Sequence, residues 1–197
     1  MRVKKKDDDY FIEWGEGKDR MSLKLEWPRR RGVGTKNDLL KKAIGPIKPP
    51  ATVIDGTGGL LRDAHHFADL GFSVIVYERE PLLAAALKKA LKNDKIELIE
   101  DDFLSNERVQ EKAVIVYLDP MFPESKRTAL SGKETQLLKA ICPLPSLEDE
   151  EKLLSRANAL ASRRVIVKRH LRAPPLAKVE PQHSVTGSSV RYDIYIA

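Results

Sequence analysis

A single cysteine, Cys142, in 197 residues leaves no partner for an internal disulfide and no thiolate cluster for a structural zinc site. It stands between Ile141 and Pro143 at the end of an apolar helical stretch, where a buried structural thiol is expected and no chemistry is assigned to it. No apolar run approaches membrane-spanning length, and Met1 to Asp9, with its Lys and Asp triplets, has no apolar core of a secretory signal. A reducing, cytoplasmic setting without membrane association is therefore expected, with residues 1–9 as a frayed, solvated end. The four histidines are no better placed for a metal. His65 and His66 fall inside a predicted helix and His170 and His183 in predicted loops, without ligand spacing, so no metal is expected. Internal repeats and long low-complexity tracts are also missing.

What is present is an ordinary globular composition with an excess of base. Hydrophobic residues make up 42%, and 35 Lys and Arg against 29 Asp and Glu give a net charge of +6. That balance favours a polyanionic partner without identifying one. Residues 10–14 and 21–27 flank a Gly/Lys/Asp-containing turn and read as a small β-hairpin. A basic segment follows, Pro28 to Gly34, then a short helix carrying Leu39, Leu40, Ala43 and Ile44, ended by Pro46, Pro49 and Pro50. Residues 1–50 are thus set apart from a unit at 51–197.

From residue 51 short β-branched apolar runs alternate with helical stretches. Strands are expected at Thr52–Asp55, Ser73–Glu78, Ile96–Ile99, Val114–Asp119 and Arg164–Lys168, with helices near 60–70, 81–93, 133–142 and 147–162. The run from Glu100 to Glu111 has no clear period. Strands without polar alternation are those covered on both faces by helices, so the fold class is α/β with a mostly parallel, doubly wound sheet. Residues 179–196 look like two strands around Thr186-Gly-Ser-Ser189 with no room for a helix, an antiparallel C-terminal hairpin. That ending is characteristic of Rossmann-like methyltransferases rather than dinucleotide-binding dehydrogenases.

The first strand runs into Asp55-Gly56-Thr57-Gly58-Gly59, where glycines let a ligand approach the backbone and a helix N-terminus supplies free amides. A dinucleotide fingerprint would place a third glycine where this chain has Leu61. Asp55 would oppose a pyrophosphate but suits the cationic amino group and sulfonium of S-adenosylmethionine; its alternative reading is a turn cap. Glu78, 23 residues on, suits a carboxylate accepting from ribose hydroxyls. Asp102 and Phe103 could meet an adenine, or form a solvated acidic loop. Asp119-Pro120-Met121-Phe122-Pro123 is close to the [Asn/Asp/Ser]-Pro-Pro-[Tyr/Phe] signature of methyltransferases that act on planar amino groups. Such a nitrogen has its lone pair drawn into the ring, so it needs acceptors on its N–H bonds and an accurately placed methyl donor. Asp119 and the Pro120 carbonyl would accept, and Phe122 would stack on a base.

These motifs, with Arg62-Asp63 after the glycine loop, Tyr77-Glu78-Arg79, Val167-Lys168-Arg169, Ala173-Pro-Pro-Leu-Ala177 and the terminal Arg191-Tyr-Asp-Ile-Tyr195, resemble the RsmJ-type 16S ribosomal RNA (guanine-N2)-methyltransferases. The resemblance covers about residues 28–197. It implies a Rossmann-like class I methyltransferase domain at 51–197, with S-adenosylmethionine as donor and a guanine N2 of small-subunit ribosomal RNA as acceptor. It also implies donor-site roles for Arg62, Asp63, Glu78, Arg79, Asp102, Phe103 and Asp119. Arg62 would hold the donor's carboxylate, with Asp63 orienting the guanidinium. At the third of these sites the family often has Ser-Ser where this chain has Asp102-Phe103.

Basic residues at Arg29–Arg31, Lys36, Lys41–Lys42, Lys126–Arg127 and Lys168–Arg169 are candidates for contact with RNA phosphates of a ribosomal RNA or small-subunit partner. The expected chemistry is direct in-line methyl transfer. Competing readings are amino methylation of another RNA, DNA or protein amide, a nicotinamide-dependent oxidoreductase, and a catalytically silent RNA-binding module.

Overall fold

A computed structural model describes residues 1–105, 112–121 and 132–197. The chain opens with a three-stranded antiparallel sheet, β1 (Arg2–Lys6), β2 (Asp9–Trp14) and β3 (Met21–Lys24), in the order β1-β2-β3. The hairpin expected from sequence is there as β2 and β3, but the Lys/Asp end is not frayed. Arg2 to Lys6 pairs with Asp9 to Glu13 in register, and Asp7, at φ 54°, takes the left-handed turn that Asp tolerates better than most residues. Charge misled the sequence reading because β1 is an edge strand whose lysines stay in water.

A short helix, α1 (Leu39–Ile44), follows, its N-terminus capped by Asp38, whose carboxylate accepts from the Lys41 and Gly34 amides. The central sheet then assembles from β4 (Thr52–Asp55), β5 (Ser73–Glu78), β6 (Ile96–Glu100), β7 (Ala113–Leu118), β8 (Ala161–His170), β9 (His183–Thr186) and β10 (Val190–Ile196). Its order is β6-β5-β4-β7-β8-β10-β9, with the first five parallel and β10 antiparallel to both neighbours. This is the doubly wound sheet with a C-terminal antiparallel hairpin that the sequence predicts. β8 runs three residues earlier and two later than expected, so His170 ends a strand and His183 begins one.

The helices between strands are α2 (Arg62–Asp69), α3 (Pro81–Ala90), α4 (Lys133–Ile141) and α5 (Leu147–Leu160). In α3, Pro81 opens the first turn and Leu83, Ala84, Ala86, Leu87 and Ala90 are buried, a three-to-four spacing that sets one face against the sheet. A reciprocal capping box of Ser146 and Asp149 starts α5. The N-terminal sheet shares the core of this unit: Ile12, Trp14 and Leu25 are buried in one cluster with Leu83, Leu87 and Leu137, where β2 meets α3 and β3 meets α4. Among the described residues no helix is long and apolar enough to cross a membrane.

Candidate functional site

The carboxyl ends of β4, β5 and β7 surround a cleft of about 420 Å³, at the switch point where strand order reverses. On one side β4 ends at Asp55 and the chain turns through Gly56–Gly59. Two backbone bonds fix the turn, Gly56 N donating to Tyr117 O at 3.0 Å and Gly58 N to Tyr77 O at 2.8 Å. A Cβ on Gly58 would stand 2.7 Å from Val76 Cγ1 and 2.8 Å from the Tyr77 carbonyl, so only glycine lets the loop lie this close to β5. Leu61, at the position of the missing third glycine, has φ 59°. Its side chain is completely buried, which offsets roughly 1 kcal/mol of left-handed strain.

Asp55 is 2% exposed, and its Oδ1 accepts from the Thr57 amide at 3.0 Å. It caps the turn as well as lining the cleft. Burial pushes its carboxyl up to about 7, with the Asp63 and Asp119 charges adding to the rise against the Thr57 amide. Glu78 ends β5 and is held twice, Oε2 accepting from Gly59 N at 2.7 Å and Oε1 from Glu80 N at 2.8 Å. Burial raises this carboxyl too, against the two amides. Arg79 and Asp102 face each other at 4.0 Å on the rim. Phe103 is 2% exposed, packed edge-on to Tyr77 with centroids 5.5 Å apart and beneath Gly56, so its ring forms cleft wall rather than an exposed stacking plate.

On the other side β7 leads into Asp119 and the buried Pro120. The Asp119 amide donates to Thr57 Oγ1 at 2.6 Å, and that hydroxyl donates in turn to Asp55 at 3.4 Å, tying the two strand ends together. Phe122 and Pro123, the remainder of the motif, lie outside the described residues.

Lys168, from β8 and expected from sequence to meet RNA phosphate, has two carboxylate partners that sequence reasoning missed. Its Nζ donates to Asp119 Oδ2 at 2.8 Å and to Asp63 Oδ2 at 2.7 Å. Asp63 also accepts from the Tyr117 hydroxyl at 2.8 Å and from Arg30 Nη1 at 3.2 Å. Burial alone would raise the Asp63 carboxyl, but Lys168, Arg30 and Tyr117 together hold it below its ordinary value. For Asp119 burial wins and the carboxyl is raised, with Lys168 the chief opposing influence. Burial disfavours the Lys168 ammonium, yet the two carboxylates keep its affinity for the proton raised.

Three expectations change here. Lys168 and Arg169 do not present a basic face to phosphate: Lys168 is committed to two carboxylates, and Arg169, 2% exposed, bonds Glu150 and the Pro174 carbonyl. Asp63 does not orient Arg62, whose guanidinium instead donates to the Glu26 carbonyl at 2.8 Å and pairs with Glu134 at the start of α4. Arg30 of the basic segment turns to Asp63, while Arg29, Arg31, Lys36, Lys41 and Lys42 are exposed. Lys126 and Arg127 lie outside the described residues. Cys142 caps α4 on the cleft wall, its thiol pushed up to about 11 by burial, so it is not a thiolate nucleophile. Among the described residues no group of three or more His, Cys, Asp or Glu side chains is placed to hold a metal.

Residues 19–197 match the family model described as "Putative SAM-dependent methyltransferase". The chain is 39% identical to the ribosomal RNA small subunit methyltransferase J of Alcanivorax borkumensis over 166 residues, 81% of this chain and 67% of that protein. It is 37% identical to the protein of the same name from Hydrogenovibrio crunogenus over 182 residues, 85% of this chain and 65% of that protein. The chain therefore spans about two thirds of the length of these relatives. Among solved structures, an SAM-dependent methyltransferase from Neisseria gonorrhoeae superposes with a TM-score of 0.73 at 26% identity, covering 96% of this chain and 79% of that one.

Proposed function

Because the chain belongs to the family of SAM-dependent methyltransferases that includes the ribosomal RNA small subunit methyltransferase J proteins, we propose that it methylates the exocyclic N2 of a guanine in small-subunit ribosomal RNA. The observation that carries this reading is Asp119, a carboxylate at the end of β7 whose amide is hydrogen-bonded to the glycine-rich turn. It stands in one cleft with Asp55, Gly58 and Glu78.

The residues present suit the donor. The volume falls in the range of small-molecule sites, roughly 300–1,000 Å³, and Gly56 and Gly58 let the turn that lines it pack directly on Phe103, Val76 and the Tyr77 carbonyl, where a Cβ would collide. Asp55, buried and raised by the neighbouring Asp63 and Asp119 charges, gains from a cationic amino group beside it. Glu78, already oriented by two amides, keeps lone pairs for ribose hydroxyls. Bound there, the donor supplies an electrophilic methyl group.

The protein's own contribution is placement. Asp119 and the Pro120 carbonyl accept the N–H bonds of the planar amine and turn its nitrogen towards the methyl group, while the exposed Arg29 and Arg31 meet RNA phosphates. The test gives the purified protein labelled donor and small ribosomal subunits, or their naked RNA, lacking the modification, and then digests the RNA to nucleosides. Label in N2-methylguanosine is expected. Label in another nucleoside would keep the chemistry and overturn the acceptor, and no label in either substrate would overturn the reading.

A further inference from the structure

Lys168 sits where a lysine is expensive to keep. Its side chain is 21% accessible, it lines the donor cleft, and it reaches two carboxylates on two other segments, Asp63 at the start of α2 and Asp119 after β7. An ion triad serving stability alone gains little over packed apolar side chains, and has no reason to open onto a reactive cleft. Resting on the amino-methyltransferase reading, we propose that Lys168 is a positioning residue for methyl transfer: its ammonium, anchored on Asp63, holds the Asp119 carboxylate in place and in its charged form to receive the acceptor amine.

The surroundings explain why a cation is required. Asp55 from β4, Asp63 from α2 and Asp119 converge on this corner. Facing them are Arg30 from the N-terminal segment, Tyr117 from β7, Lys168 and Arg169 from β8, and Tyr192 from β10. Arg30 pairs with Asp63. Lys168 is the cation whose hydrogen bond reaches Asp119 among the described residues. A protonated Asp119 would present a donor to the amine instead of an acceptor, and the charge on Lys168, opposing burial, favours the ionised form that accepts. Anchoring also matters. The Asp63 carboxylate is itself fixed by Tyr117, so Lys168 cannot swing away with its partner. A lysine suits the place because a point charge with three donors can serve two carboxylates approaching from different directions.

The experiment compares wild type with Lys168→Met, Lys168→Gln and Lys168→Arg. The first measurement follows Asp119 by carboxyl carbon NMR during a pH titration of the donor-free protein. Loss of the ammonium is expected to raise the Asp119 midpoint by about one unit or more, and Lys168→Arg to return most of it. The second is methyl transfer against pH. In Lys168→Met, kcat is expected to fall on the order of 10²-fold with the acid limb moved to higher pH, while donor Kd stays within about threefold. Lys168→Gln supplies the same comparison should the methionine variant not fold. An unmoved Asp119 midpoint in a folded variant, or a loss of rate equal at every pH, would overturn the role. Should the wild type transfer no methyl group to RNA, the functional reading fails, whereas the NMR midpoint still decides what Lys168 does to Asp119.

Discussion

Around Gly56–Gly59 and Glu78 the cleft wall is held by backbone amides, whereas around Asp119 it is held by side-chain charge. In the first region the bonds join residues 19 to 61 positions apart, through Gly59 and Glu78, Gly58 and Tyr77, and Gly56 and Tyr117, on neighbouring parallel strands. In the second, Lys168 reaches residues 49 and 105 positions away, and Arg30 reaches Asp63 from a segment outside the central sheet. Amide donors place a ligand, and the two that end on the Tyr77 and Tyr117 carbonyls are indifferent to pH. Charge pairs in a buried corner place a reacting group and set its protonation, at the cost of depending on every partner.

That contrast can be broken from either side. The largest effect is expected from Asp119→Ala, which removes the acceptor at the reacting nitrogen. Turnover should drop on the order of 10²–10³-fold with donor binding nearly intact, checked by single-turnover transfer beside a donor titration. Next comes Gly58→Ala, which acts through the backbone. The added carbon meets the Tyr77 carbonyl, which cannot rotate away, and should cost about 1–3 kcal/mol of stability in denaturant unfolding together with donor affinity.

A smaller effect tests Asp55 by pH. With a carboxyl raised to about 7, Asp55 is mostly neutral below that pH and charged above it. Donor affinity should therefore fall by about tenfold per unit as pH drops below 7, and Asp55→Asn should flatten the profile. The smallest effect separates exposed base from buried base. Replacing Arg29 and Arg31 together by alanine should weaken RNA binding a few-fold and reduce its salt slope by about 1.4, leaving donor Kd unchanged, as measured by RNA titrations at several salt concentrations.

The same contrast governs what could be read from the sequence. The parallel strands, the glycine turn, Glu78 and Asp119 each declare themselves within a few consecutive residues, as apolar runs ending in a special residue. Lys168 does not, because its meaning depends on Asp63 and Asp119, and in the chain it stands beside Arg169 as one more basic pair. Arg62 and Asp63 show the reverse error. Adjacent in sequence, they suggest a mutual pair, but successive residues on a helix point about 100° apart, and the two side chains join different networks. The Lys-rich β1 was hidden for a third reason, since an edge strand with Val3 alone turned to the core carries no apolar alternation to betray it.

The final hairpin gives the sheet an assembly order that differs from the order of synthesis. β9 is made before β10, yet β10 lies between β8 and β9 and supplies the sheet partner through which β9 joins. A nascent chain that has emerged only as far as Thr186 holds β9 without its neighbour, and the last two of the seven strands can join the sheet only once residues 190–196 pair with β8.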